Sequence, residues 1–255
     1  MARKTSKKRE RSEAPRRNSI LRRSFRLVLG NWKLFFGIFA IMAIIELLVV
    51  GLPSVETSPI LGLILTITWL TTIYLTRRLE AGRKVTLREG FYNSMTSFVP
   101  SVLVWLVVAI ESLPIITLIV LYPTAVETGL FSNFGYGFGF VLFALAMVGL
   151  TWYLLPVSVM ALVAVSAPGL YPIKTLSQVS ELMKGRRAEF WLKLLVAVVV
   201  MVVVSVAIAV PMIGLAQFID GTGIITQSVI AVLECLATIW LAVYLYLYYR
   251  ELVIQ

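Results

Sequence analysis

Glu46, Glu111 and Glu234 stand deep inside long apolar runs that contain no lysine or arginine. A carboxylate surrounded by hydrocarbon is costly unless it faces protein, reaches water or takes up a proton, so the chemistry open to these residues is binding of a cation, a proton or a polar headgroup. Counted along helices at about 1.5 Å per residue, Glu46 rises roughly 20 Å from Lys33, Glu111 roughly 20 Å from Phe98 and Glu234 roughly 24 Å from Arg250. All three reach one half of the membrane at similar height. Two readings stay open: one shared cavity facing outward, or separate side chains that are solvated or hydrogen-bonded near the outer interface. Pro114, just beyond Glu111, frees a backbone carbonyl one turn earlier, which either opens that helix locally or merely kinks it.

Several other chemistries are excluded by what the chain lacks, which leaves open only a carboxylate or serine chemistry that no motif announces. With no histidine among its residues, the chain alone cannot build a histidine-dependent hydrolase, a two-histidine zinc protease or a histidine-ligated haem. Cys235 is the single cysteine; it allows no intrachain disulfide and no thiolate metal cluster, and inside an apolar run it reads as a small hydrophobe. The phosphate-binding pattern GxxxxGK[ST] is absent, and the glycines of the Phe134 to Phe140 segment do not follow a strand. No cofactor or metal is expected, and the expected role is non-enzymatic.

The elements that must hold the glutamates follow from charge. The 23 lysines and arginines fall into four clusters: Arg3 to Lys33, Arg77 to Arg88, Lys174 to Lys193, and Arg250 alone. That spacing is the signature of a multi-pass membrane protein whose basic loops stay cytoplasmic. Composition agrees, with 59% hydrophobic and 14% charged residues against about 25% charged in soluble domains. The expected fold is all-α: six transmembrane helices as three hairpins, plus about three interfacial amphipathic helices. The spans read Lys33 to Pro53, Ile60 to Leu75, Phe98 to Tyr122, Gly137 to Val165, Phe190 to Leu215 and Ile225 to Tyr249. The breaks fall at Gly51-Leu52-Pro53-Ser54, Thr128 to Gly137 and Asp220-Gly221-Thr222-Gly223. Loops on the opposite side carry Glu56, Glu127 and Asp220 and no base, so both termini are expected in the cytoplasm of a cell whose plasma (inner) membrane holds the chain.

Residues 1–18 form a basic, hydrophobe-poor tail that reads as disordered. Residues 19–255 read as one integral membrane domain with repeat-like units at about 19–76, 85–165 and 170–249. The net charge of +10 follows from orientation and from attraction to anionic headgroups rather than from nucleic acid, which is not an expected partner. The first apolar run exceeds a signal-peptide core and lacks a small-x-small cleavage site, so it reads as a retained helix.

A weak internal repeat supports the units. Leu21-x5-Leu27-Val28-Leu29-Gly30-x4-Phe35-Phe36 aligns without gaps on Leu176-x5-Leu182-Met183-Lys184-Gly185-x4-Phe190-Trp191. In each, an amphipathic segment ends at a glycine suited to a left-handed cap. Asn18 or Ser19 can cap the first segment, and Pro172 suits the first turn of the last. Thr86-Leu87-Arg88-Glu89 has capping-box spacing and opens a middle copy. Arg22, Arg23 and Arg26, and Lys184, Arg186 and Arg187, are candidate contacts to anionic lipid. Tyr244, Tyr246, Tyr248 and Tyr249, with Trp32 and Trp191, read as interfacial anchors, and Phe131, Phe134, Tyr136 and Phe138 as an outer aromatic belt or a loop dipping into lipid.

Leu155-Pro156, the apolar run to Val165, Ile173-Lys174-Thr175-Leu176-Ser177, Leu182-Met183-Lys184-Gly185 and Phe190-Trp191 form a pattern that resembles the membrane domain accompanying some bacterial glycerophosphodiester phosphodiesterases, and related stand-alone membrane proteins of unknown function. The catalytic phosphodiesterase domain is missing, so the resemblance carries over no catalytic residue. It implies a bacterial membrane domain that contacts or moves lipids or another amphipathic envelope component, or acts as a scaffold. The alternative is a small transporter or channel using the three glutamates. Membrane lipids and anionic headgroups are the expected partners, and a protein partner or homo-oligomer is also open.

Overall fold

A computed structural model describes residues 20–49, 54–167, 171–219 and 224–254. The tail 1–18, the Ser19 cap, the breaks at Gly51 to Pro53 and Asp220 to Gly223, and the Glu46 and Glu56 side chains lie outside the described residues. All regular structure among the described residues is helical: α1 (Ile20–Gly30), α2 (Trp32–Val49), α3 (Ser54–Glu80), α4 (Leu87–Ser94), α5 (Phe98–Glu127), α6 (Phe134–Val165), α7 (Pro172–Leu182), α8 (Arg187–Ile219) and α9 (Ile224–Ile254). The runs Leu87–Glu127, Phe134–Val165, Arg187–Gly214 and Ser228–Ile254 are long and apolar enough to cross a membrane, with α1 and α2 as a fifth if their 83° bend is taken within one span. α3 fails that test because its described part mixes Thr66, Thr68, Thr71, Thr72 and Thr76 with Arg77 and Arg78.

Three threonines of α3 place their hydroxyls in local or interhelical hydrogen bonds that a helix accommodates, while the buried Thr72 Oγ1 makes none. Thr66 Oγ1 donates to Gly62 O at 2.8 Å, Thr76 Oγ1 to Thr72 O at 2.7 Å, and Thr71 shares a hydrogen bond of 3.1 Å with Ser94 of α4. Such small hydroxylated residues also let helices approach closely. Gly90 sits at that approach, where an added Cβ would stand 2.7 Å from Leu75 Cδ2.

The short helices begin where the sequence expects. Thr86 Oγ1 accepts the Glu89 amide at 3.2 Å and starts α4, and Pro172 occupies the first turn of α7. Gly185 takes the left-handed conformation at φ 73° and turns the chain from α7 into α8. Its expected counterpart Gly30 does not. There the turn is made at Asn31, whose side chain donates to Leu27 O at 3.0 Å, so the exposed C-terminal carbonyl is capped without a left-handed glycine.

Prolines do not interrupt the long helices: α5 runs through Pro114 and Pro123, α6 through Pro156 and α8 through Pro211. The carbonyl that Pro156 leaves without an amide partner belongs to Trp152. Trp191 Nε1 donates to it at 3.0 Å, and the two indoles stack at 4.7 Å. Trp191 is thereby tied to α6, a structural use that its reading as an interfacial anchor missed.

The core gathers at the end of the bundle where the basic loops meet, called here the basic end. Tyr74 and Leu75 of α3, Met160 to Val165 of α6, Phe190 of α8 and Ala242 to Leu245 of α9 are buried there. Tyr244 and Tyr248 belong to this core rather than to a membrane interface, as Tyr246 and Tyr249 only partly do. Tyr244 OH donates to Lys193 O at 3.0 Å, which supplies the partner that a buried phenol needs.

Candidate functional site

Three helices that are distant in sequence leave an apolar groove between them. α9 packs on both α2 and α8, and the space along it has a volume of about 460 Å³. Its walls are Phe25, Val28, Leu29, Trp32, Phe35, Phe36 and Phe39 from α1 and α2, Val200, Met201, Val204, Ser205 and Ile208 from α8, and Leu233, Leu236, Ala237, Ile239 and Trp240 from α9. Ser205 is the one hydroxyl among them. A volume of this order falls within the roughly 300 to 1,000 Å³ of small-molecule sites. Such a lining offers dispersion and no hydrogen-bond code, which suits an aliphatic chain.

The basic end of the groove is closed by aromatic contact between Phe25 of α1 and Trp240 of α9, with ring centroids 5.2 Å apart. α1 has the sequence of an amphipathic helix, with Ser24 buried and its arginines outward. Arg22, Arg26 and Leu29 follow one another at i, i+4 and i+7 and so share a stripe. Leu29 lines the groove, so Arg22 and Arg26 lie on the same helical stripe as one of its wall residues.

Glu80 holds α1 in that position. Its side chain is only 4% exposed and accepts Arg23 of α1 at 2.5 Å and Arg250 of α9. One carboxylate therefore clasps three helices. A second clasp joins α8 to α9: Lys193 Nζ lies 2.7 Å from Glu189, 3.6 Å from Glu251 and 4.4 Å from the centre of the Tyr248 ring.

The predicted lipid-contacting bases differ in exposure and in the contacts they make. Arg23 is engaged by Glu80, and Arg187 lies over the Tyr153 ring at 3.5 Å. Arg22, Arg26 and Lys184 are exposed, and Arg186 is partly exposed. The glutamates divide as well. Glu111 is half-buried on α5 with Ser158 of α6 facing it. Glu234 is exposed on α9, while its neighbour Cys235 is buried against Met42 and Ala43 of α2. Glu46 belongs to α2. No hydrogen bond or ion pair among the described residues joins Glu111 to Glu234.

Glu80 was passed over in the sequence although a signal existed: one acid set between Arg77-Arg78 and Arg83-Lys84. The groove had no such signal, because its three walls come from separate segments. Comparison with family models, with curated proteins and with solved structures gives no match to this chain.

Proposed function

We propose that the chain is a six-span, non-enzymatic protein of a bacterial plasma membrane that contacts or moves lipids, taking an acyl chain of an anionic phospholipid into the groove between α2, α8 and α9. The observation that carries this reading is the apolar groove, whose wall residue Leu29 shares a helical stripe with the exposed Arg22 and Arg26. Apolar lining suits the chain, and paired guanidinium groups suit a phosphate. α3, with 27 residues, extends about 40 Å at 1.5 Å per residue and supplies the sixth span. The clustering of basic residues favours a cytoplasmic position for both termini. α1, α4 and α7 lie along the interface, as the 83° turn from α1 into α2 favours. The resemblance to the membrane domain of glycerophosphodiester phosphodiesterases points to the same lipid context.

The test is native mass spectrometry of the protein released from mixed phosphatidylglycerol and phosphatidylethanolamine nanodiscs. Wild type is expected to retain phosphatidylglycerol in preference. Ala237→Trp, which fills the groove, should lose bound lipid, and Arg22→Gln with Arg26→Gln should lose the preference while keeping lipid. Retention unchanged in both variants would refute the reading.

A second reading, a small transporter or channel, is favoured by one observation, the placement of Glu111 against Ser158 inside the α5 and α6 pair.

A further inference from the structure

α1 walls the groove through Phe25, Val28 and Leu29, but it is lightly held. Of its eleven residues only Ser24 is buried, whereas the α2 and α9 walls include the buried Phe35 and Ile239. Ile20, Leu21 and Phe25 rest on the core as partly buried side chains. α1 meets α2 at 83° with Asn31 alone between them, and beside this elbow an added Cβ at Gly30 would meet nothing within 4 Å. Residues at an element's end are where a hinge absorbs its change of backbone dihedrals.

The Phe25 and Trp240 rings, 5.2 Å apart, stand across the basic end of the groove. A phospholipid with its phosphate at that end and an acyl chain in the groove has to pass between them. Trp240 belongs to α9, which is fixed there by the buried Ile239, Ala242 and Val243, so the side that can yield is α1. Glu80 restrains it. The Glu80 side chain is 4% exposed and that of Arg23 54%, and the same carboxylate accepts Arg250 of α9. When Arg23 leaves, Glu80 keeps Arg250, so no buried carboxylate is stranded, and Arg23 passes into water or onto a phosphate at small cost. A releasable latch needs that asymmetry.

We propose that α1 is the gate of the groove: it swings about the Asn31 elbow, parts Phe25 from Trp240 and admits the acyl chain, with Arg23 and Glu80 as its latch. The gate rests on the lipid reading and adds control of entry to it.

The test is lipid exchange. Protein loaded with phosphatidylglycerol is mixed in detergent micelles with excess deuterated phosphatidylglycerol, and replacement of the bound lipid is followed by time-resolved native mass spectrometry. Arg23→Gln should exchange about threefold faster than wild type, the scale of one partly exposed ion pair, with the same amount of lipid held at equilibrium. Arg250→Gln, which leaves the Arg23 latch in place, should not speed exchange. Phe25→Cys with Trp240→Cys, in a Cys235→Ala background, should stop exchanging once the two thiols are joined by a short cleavable cross-linker, and resume when it is cut. Exchange at the wild-type rate in Arg23→Gln, equal acceleration by Arg250→Gln, or free exchange in the linked pair would each overturn the gate while leaving lipid in the groove. Wild type that holds no phosphatidylglycerol would instead refute the lipid reading itself, and the gate with it.

Discussion

At the basic end of the bundle, α9 buries Ala242, Val243, Tyr244, Leu245, Leu247 and Tyr248 against α2, α3, α6 and α8, whereas towards the opposite end α8 exposes Val202, Val203, Val206 and Val210 along one continuous run. The same contrast recurs in α6, buried from Met160 to Val165 and exposed at Val141, Leu142 and Leu145. In lipid, apolar side chains gain little by leaving the solvent, so helices are held by packing and by polar contacts. Among the described residues both are concentrated at one end. There Glu80 and Lys193 clasp the helix ends, and Trp191 caps the carbonyl that Pro156 sets free. Towards the other end the described parts of α6 and α8 present apolar surface, and the groove extends from the packed part towards it.

The largest effect that separates the ends is expected for Phe190→Ala. The ring is fully buried in the basic-end core, and its loss should cost about 2 to 4 kcal/mol, mainly as lost packing. Val203→Ala, on the exposed run, should stay within about 0.5 kcal/mol; thermal unfolding in detergent compares the two. Glu80→Gln comes next. It strands Arg23 and Arg250 on neighbouring helices, and because both arginines remain partly exposed the loss should be about 1 to 3 kcal/mol. Glu127→Gln at the opposite end should be close to neutral in the same assay. Trp191→Phe removes the donor to the Trp152 carbonyl and should cost about 1 kcal/mol. Thr86→Ala, which deletes the α4 cap, should cost about 1 kcal/mol or less, read by protection of the α4 amides against hydrogen exchange. Equal sensitivity of the two ends across this series would remove the contrast.

The helices themselves were legible in the sequence because their determinants are local. Apolar runs, the Thr86 cap, Pro172 and Gly185 fall where the structure uses them; α3, α5, α6, α8 and α9 run past the expected spans at one or both ends, while the described α2 ends at Val49, short of the expected Pro53. Gly30 was misread because a glycine at a helix end looks alike whether or not the turn uses it, and Asn31 supplied the cap. Tyr244 and Tyr248 were misread because tyrosines at a helix end look like anchors until a neighbouring helix is known to cover them. The glutamates were legible as candidates, but their surroundings were not: helical height says nothing of azimuth, and Glu111 turns towards α6 while Glu234 lies on an exposed face of α9. The groove depends on helix pairings that no local pattern encodes.

The central claim, that the groove is a lipid site and not merely apolar surface, is tested most directly by cross-linking with phosphatidylglycerol carrying a photoreactive group in its acyl chain. Adduct mapping should place label on groove residues such as Phe36, Met201 and Leu236 well above Leu106 and Ile110, which are equally apolar and exposed on α5. The groove label should fall when Arg22 and Arg26 are both replaced by glutamine. Equal labelling of groove and α5, unaffected by those replacements, would contradict it.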